Sequence, residues 1–336
     1  MPIVTSPQWP GIGRTVPHSD LPKHLFRVAS LHARRALTNA SDDLAVLDRA
    51  VSIGTSVELL AKTALASISP ALLAEDRQSK HLLQFVGVGE LVPAKAKTRS
   101  GTDCLTLLKQ CGPFDYNSER DSVVFDIRNL ATHLGCVDLT TFEPALTTMV
   151  TLSEQIIAMI SDSDPSSNRI SYWGEDFLAQ VDERLKAQAE AKRLMLEQLK
   201  AAARRELERL RSRGLDHDAL SEWAERAPAG YYGDDDAWTR RTCPVCEYEG
   251  WLEYSIHRGT IEVEYDDDGR PGVPFVEVFR EPQEFECSVC GLRLSSDLLP
   301  LEGMGETLWD EDEATPEEIS AAEDAAIDRY YDSERE

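Results

Sequence analysis

The chain has 336 residues and a formal net charge of −25, and a chain of this length typically forms about two domains. No stretch approaches the roughly eighteen apolar residues that a membrane-spanning helix needs, so we expect no membrane partner. The first residues lack the charged start and apolar run of a secretion signal, which favours a cytoplasmic protein.

The charge is distributed unevenly along the sequence. Lys and Arg number 14 against 17 Asp and Glu in residues 21–165, and 10 against 5 in residues 183–213. The corresponding counts are 4 against 13 in residues 243–298 and 2 against 14 in residues 299–336. Contact with phosphates needs cationic surface, so the N-terminal part and the basic segment suit an RNA partner. We expect any partner of the acidic C-terminal third to be a protein.

Residues 21–165 repeat apolar side chains at three- and four-residue spacing, which predicts a helical bundle. A polar run with one proline at 161–168 predicts a linker. Residues 175–214 predict one long basic amphipathic helix that ends at Gly214. Its cations either track RNA phosphates or form the solvated face of a coiled coil.

The hydrophobic period changes to two after Trp238, where aromatic and β-branched residues alternate with polar ones. We predict three short strands within residues 238–298, with residues 266–272 as a turn or loop between two of them. Residues 299–336 are acidic and low in complexity, which predicts a disordered or weakly helical tail. The tail either solubilises the protein or covers a basic groove until it is displaced.

Four cysteines form two CxxC pairs about 40 residues apart, Cys243 with Cys246 and Cys287 with Cys290. Two turns that each present two thiolates supply the tetrahedral sulfur set that Zn²⁺ prefers. Disulfides and redox dithiols are the alternatives, but the sequence carries no export signal. The segment resembles a zinc ribbon. We therefore predict one structural zinc per chain, and four protein ligands leave no open position for catalysis by this metal.

Arg128, Asn129 and His133 lie within six positions of one apolar-periodic helix, and we call them the RNxxxH motif. A guanidinium is always charged and binds phosphoryl oxygens in bidentate fashion. The imidazole of histidine exchanges protons near neutral pH, and an asparagine can orient it or donate to a phosphate. These three groups are sufficient for cleavage of RNA without a metal ion.

The run from Ala50 to Ala66, which contains Glu58 and Lys62, and the RNxxxH motif two helices later resemble the HEPN superfamily of small helical bundles. The resemblance covers about residues 21–165. It implies an RNA-cleaving member whose catalytic residues are those of the motif and need no cofactor. It also implies a homodimer, because HEPN ribonucleases pair two such helices across an interface to form one composite cleft.

The helical positions of the motif agree with a composite site. Asn129 and His133 lie one turn apart on the same side of a helix, whereas Arg128 lies about 140° around the axis from His133. Arg128 must therefore wrap toward a shared target or meet the histidine of a second subunit. Glu58 and Lys62 either line the cleft or form an ordinary ion pair at i,i+4 spacing.

The sequence as a whole predicts a mainly α-helical protein with a HEPN-like bundle, a long connecting helix, a small β-rich zinc ribbon and an acidic tail. The function we predict is a metal-independent endoribonuclease, and the resemblance implies a toxin or antiphage defence effector. The alternative is a non-catalytic scaffold that binds RNA, a nucleotide or a partner protein.

Overall fold

A computed structural model describes most of the chain. The described residues are 8–11, 14–75, 82, 85, 97–112, 114–226, 237–263 and 273–321. They are mainly helical, with a small antiparallel sheet in the C-terminal part, which confirms the coarse fold class predicted from the sequence. The chain divides into two compact units, Met1–Ala189 and Glu190–Glu336, called here the first and second unit. None of the described helices is long and apolar enough to cross a bilayer.

The first unit is a helical bundle preceded by a short hairpin. The hairpin strands are β1 (Gln8–Gly11) and β2 (Arg14–Pro17). The helices that lie wholly in this unit are α1 (Leu21–Leu37), α2 (Asp43–Ile68), α3 (Gly101–Cys111), α4 (Ser118–Asp121), α5 (Val123–Leu134), α6 (Leu139–Ser163) and α7 (Arg169–Trp173).

Helix α2 is the centre of the bundle and contacts α1, α3, α5 and α6. Apart from Lys62, its buried residues are apolar or small over more than four turns, so four neighbours can pack around it. The helix ends carry the expected caps. Asp42, Ser100 and Asp138 each accept a hydrogen bond from a backbone N–H in the first turn of α2, α3 and α6.

A single long helix, α8 (Glu175–Ser212), contains the boundary between the two units. The sequence predicted this helix and its stop, and Gly214 has a φ of 85°, which glycine adopts at little cost. A shorter helix, α9 (His217–Ala224), follows in the second unit and is capped by Asp216. Helix α9 is not among the elements expected from the sequence.

The second unit contains a five-stranded antiparallel sheet. Its strands are β3 (Trp238–Thr242), β4 (Glu249–Glu262), β5 (Phe275–Glu286), β6 (Arg293–Ser295) and β7 (Leu308–Glu313). Strand β5 pairs with β4 on one side and with both β6 and β7 on the other. The prediction of three short strands is therefore wrong. The turn predicted at 266–272 lies outside the described residues.

The strands are longer than predicted because β4 and β5 bury apolar side chains beyond the cysteine loops. Val276 and Val278 of β5 pack with Ala314 in a small separate core. Ile256 and Ile261 of β4 lie against the same core. Burial of this cluster stabilises the extended ends of both strands.

The sequence predicts a disordered or weakly helical acidic tail from residue 299, and this is wrong for strand β7 within residues 299–321. They form a 3-10 helix (Leu299–Glu302), strand β7 and a helical turn at 316–321. Arg258 of β4 forms ion pairs with Asp312 and Glu318, so a cation outside the tail compensates part of its charge. Residues 322–336 lie outside the described residues.

Candidate functional site

Helix α5 presents the RNxxxH motif. Its inner face is buried through Val124, Phe125, Ile127 and Ala131. Arg128 is half-buried, whereas Asn129 and His133 are exposed. The helix ends at Gly135, which has a φ of 62° and places His133 in the last turn.

Gly54 of α2 lets α5 approach closely. A Cβ atom built on Gly54 would lie 2.6 Å from the carbonyl oxygen of Val124 and 2.8 Å from the Cβ of Arg128. Real Cβ atoms do not come this near to other heavy atoms, so any side chain here would push α5 away. Because Gly54 has no side chain, Arg128 can pack directly against α2.

Arg128 and Lys62 share the carboxylate of Glu58. The Arg128 guanidinium forms an ion pair with Glu58 Oε2, and Lys62 Nζ donates to Glu58 Oε1 at 2.6 Å. Lys62 is buried and donates also to Thr98 Oγ1 at 2.9 Å. Burial by itself would raise the pKa of Glu58, but the charges and hydrogen bonds of Lys62 and Arg128 outweigh it and hold that pKa below its ordinary value.

These contacts leave the cluster positively charged. Two cations share one ionised carboxylate, so the three side chains carry one net positive charge. The guanidinium of Arg128 also lies over the ring of Phe125, 5.3 Å from its centroid. Its side chain keeps 23% exposure. Glu58 and Phe125 therefore fix the position of the guanidinium, and an anion can reach it from solvent.

The structure brings Arg128, Asn129, Glu58 and Lys62 together, but it does not bring His133 to them. Arg128 Nη2 donates to Asn129 Oδ1 at 3.4 Å. The side chain of His133 forms no hydrogen bond or ion pair with any other described residue. It lies five residues from Arg128, about 7.5 Å along the axis and on another side of α5. One chain therefore presents the guanidinium and the imidazole on different faces.

Sequence reasoning missed the residues that set the position of Arg128. Thr98 and Phe125 hold the cations, and Gly54 opens the space between the helices. A glycine in the middle of a long apolar helix was the one available signal, because such a position often marks a close approach.

The four predicted cysteines form a second candidate site. They are all buried and their sulfur atoms lie within 4.8 Å of one another. Cys243 Sγ lies 3.6 Å from Cys290 Sγ, and Cys246 Sγ lies 3.4 Å from Cys287 Sγ. Four sulfurs around a tetrahedral ion at about 2.3 Å would be about 3.8 Å apart. The predicted cluster is thus confirmed, and its donor set fits a thiophilic metal ion.

The two cysteine pairs lie on loops with the same backbone pattern. The N–H of Cys243 donates to the carbonyl of Tyr248 at 2.8 Å, and the N–H of Cys287 donates to Leu292 at 2.9 Å. The residue after each second cysteine, Glu247 or Gly291, has a φ near 70°. Both loops therefore aim their thiols inward. Hydrogen bonds from the other three cysteines lower the pKa of Cys287 and favour a thiolate there.

Glu247 has an unfavourable backbone conformation in the first loop. It has a φ of 66°, and it is the only residue other than glycine with a positive φ in the described part of the chain. A side chain in this conformation costs about 1 kcal/mol or more. We expect Glu247→Gly to increase the free energy of unfolding of the second unit by about 1 kcal/mol, measured by urea denaturation.

Gly291→Ala is the matched opposite change. Apart from Gly291 itself and its two chain neighbours, no described residue has an atom within 4 Å of the position of this Cβ, so the effect reports the backbone conformation. We expect Gly291→Ala to decrease the free energy of unfolding of the second unit by about 1 kcal/mol. If the loops are equivalent, Glu247→Gly stabilises the second unit and Gly291→Ala destabilises it. Changes in the free energy of unfolding with the same sign, or with both signs reversed, would contradict this equivalence.

Comparisons with known proteins do not assign the chain to a family. No protein-family model matches it, and no curated protein and no solved structure matches it significantly. The geometry of α5 and of the four cysteines therefore carries the functional argument.

Proposed function

We propose that the protein is a metal-independent endoribonuclease of HEPN type, in which Arg128, Asn129 and His133 act on RNA. The observation that supports it most is the position of the Arg128 guanidinium. Glu58 and the ring of Phe125 hold this group from its buried side, and Asn129 lies next to it. A cation held in advance at the surface binds a phosphate without a further cost of ordering.

Each residue has a chemical task in the proposed reaction. Arg128 binds the phosphoryl oxygens and stabilises the charge that develops on the five-coordinate phosphorus. His133 takes the proton of the attacking 2′-hydroxyl or gives one to the leaving 5′-oxygen. Asn129 donates a hydrogen bond to the phosphate or orients His133. The products are a 2′,3′-cyclic phosphate and a 5′-hydroxyl.

The proposed active form is a homodimer, because Arg128 and His133 of one chain point to different faces of α5. Apolar surface next to His133 supports an interface there. Leu134 and Leu139 flank the loop between α5 and α6, and each is 71% exposed. Together they offer apolar surface that a second chain would cover. The paired α5 helices would then combine the Arg128 of one protomer with the His133 of its partner.

The alternative is a non-catalytic scaffold, and one observation favours it. Arg128 already has an acidic partner, so the ion pair with Glu58 by itself explains why an arginine is present. An assay of the purified full chain on single-stranded RNA separates the two proposals. The endoribonuclease cuts this RNA with chelator present and spares DNA of the same sequence. The scaffold leaves the RNA intact, and intact RNA from a dimeric preparation would remove the endoribonuclease proposal.

We further propose that the four cysteines hold one structural Zn²⁺ per chain, in a ribbon-like arrangement. Cys243, Cys246, Cys287 and Cys290 would be its ligands, and the ion would supply crosslinking of two loops rather than catalysis. The acidic residues around this sheet disfavour nucleic acid, so the partner we propose for it is a protein. The proposed setting is the cytoplasm, where the enzyme would act as a toxin or antiphage effector.

A further inference from the structure

We propose that a second RNA-binding site lies in a cleft between α1 on one side and, on the other, α7 with the segment that joins it to α6. The cleft has a volume of about 370 Å³ and belongs entirely to the first unit. The side chains that matter for its chemistry are three cations, Lys23, Arg27 and Arg34, and three hydroxyls, Ser166, Ser167 and Ser171. The site shares no residue with the RNxxxH motif.

The cleft is positively charged. No acidic side chain is among the described residues that line it. Asp164 lies close behind, within electrostatic reach of Lys23, and its carboxylate accepts hydrogen bonds from Ser166 at 2.7 Å and Ser167 at 2.9 Å. Three cations against this one carboxylate leave an excess of positive charge, which favours a phosphate-bearing ligand.

The cations are spaced for a ligand with several phosphates. Arg27 lies four residues after Lys23, and Arg34 lies seven residues after Arg27, on the helical face that borders the cleft. These intervals correspond to about 6 Å and about 10 Å along the helix axis. A single phosphate cannot reach all three side chains over about 16 Å. The backbone of a nucleic-acid strand repeats its charge over such a distance.

Arg34 is held in place before any ligand binds. Its Nε donates to the carbonyl of Tyr172 at 2.8 Å, and its Nη2 donates to the carbonyl of Ser171 at 2.7 Å. A Cβ atom on Gly174 would lie 3.1 Å from the Arg34 Cζ, so the glycine leaves room for the guanidinium. The remaining nitrogen, Nη1, can donate to a ligand. This arrangement fixes one phosphate position relative to the cleft.

The side chain of Arg27 is exposed and forms no hydrogen bond or ion pair within the part of the chain that the structure describes. Replacement of Arg27 should therefore change ligand binding without loss of a polar contact within the protein. The hydroxyl oxygens of the serines can accept a hydrogen bond from a ribose 2′-hydroxyl, which DNA lacks. Leu31, which is 51% exposed, offers apolar surface to a base. Single-stranded RNA is the ligand that uses all of these groups.

This inference rests on the proposed function for the choice of RNA as the ligand. Binding at the cleft does not itself require cleavage. The test measures fluorescence anisotropy of a labelled single-stranded RNA of about 12 nucleotides. The full chain carries His133→Ala in every sample, so that the RNA stays intact. We expect Arg27→Glu to weaken binding at least tenfold at about 50 mM salt. The negative slope of the logarithm of the association constant against the logarithm of the salt concentration should become shallower by about 1.

Arg241→Glu is the matched control. Arg241 is an exposed cation of β3, lies outside the basic segment 183–213 and does not line the cleft, and its replacement changes the total charge by the same amount. We expect it to leave the affinity within twofold. Equal losses for both variants, or no loss for Arg27→Glu, would overturn the proposal. Displacement of the RNA by ATP at a comparable concentration would assign the cleft to a free nucleotide and would overturn it too.

The outcomes also separate this site from the proposed active site. RNA binding that depends on Arg27, together with a wild type that cuts no RNA, would leave the cleft assigned and remove the endoribonuclease. RNA cleavage together with binding that is independent of Arg27 would do the reverse.

Discussion

His133→Ala is expected to reduce RNA cleavage by at least about a hundredfold, the usual loss when a general acid or base is removed. The substitution should not disturb the fold, because His133 is exposed and has no polar partner among the described residues. Rates of cleavage of a labelled RNA under single-turnover conditions give the measurement. Circular dichroism and sedimentation should show the same fold and the same oligomeric state as the wild type.

Arg128→Lys is expected to reduce the rate of RNA cleavage at least as much as His133→Ala does, by about a hundredfold to a thousandfold. Lysine keeps the positive charge and can still reach Glu58, but it lacks the planar fork that binds two phosphoryl oxygens. Thr132→Ala, an exposed neighbour on α5, is the matched control and should leave the rate within twofold. Activity that survives His133→Ala or Arg128→Lys would show that the RNxxxH motif is structural.

Cys243→Ser combined with Cys246→Ser is expected to abolish zinc binding and unfold the sheet of the second unit. The described core of this unit is small and includes the four cysteines themselves, with Phe285 and Leu294 packed beside them. A core of this size does not outweigh the chain entropy without a crosslink. Metal analysis of the wild type should give about one zinc per chain, and hydrogen exchange should show loss of protection confined to the second unit.

The matched control is Cys111→Ser combined with Cys136→Ser, since both thiols are exposed and lie outside the cluster. It should leave the zinc content and the melting temperature unchanged. Wild-type protein that contains no zinc after purification without chelator would contradict the assignment. Full protection of strands β4 and β5 in the ligand double variant would contradict it as well.

The sequence predicts those features that depend on local pattern. Gly214 and Gly135 end their helices as the sequence indicates, because the left-handed conformation at a helix end favours glycine. The spacing of the four cysteines predicts their cluster, since each CxxC pair forms its own loop and only two loops must meet.

Features that depend on distant contacts were not predictable in the same way. Glu58 and Arg128 are 70 residues apart, and their ion pair forms only because Gly54 lets two helices approach. The acidic composition of strand β7 resembles that of a disordered segment, so the sequence predicts it as part of the tail. Its pairing with β5 and the ion pairs of Arg258 with Asp312 and Glu318 reverse that expectation. The cleft beside Arg34 was missed because backbone carbonyls of a later segment build it.

The chemical identity of the RNA ends left by the wild type tests the central claim most directly. The proposed reaction uses the neighbouring 2′-hydroxyl as the nucleophile, with Arg128 and His133 as the catalytic groups and no metal ion at the phosphate. Mass spectrometry of the fragments formed with chelator present should therefore find a 2′,3′-cyclic phosphate on one fragment and a 5′-hydroxyl on the next. Fragments with a 3′-hydroxyl and a 5′-phosphate, or cleavage that appears only after a divalent ion is added, would contradict the claim.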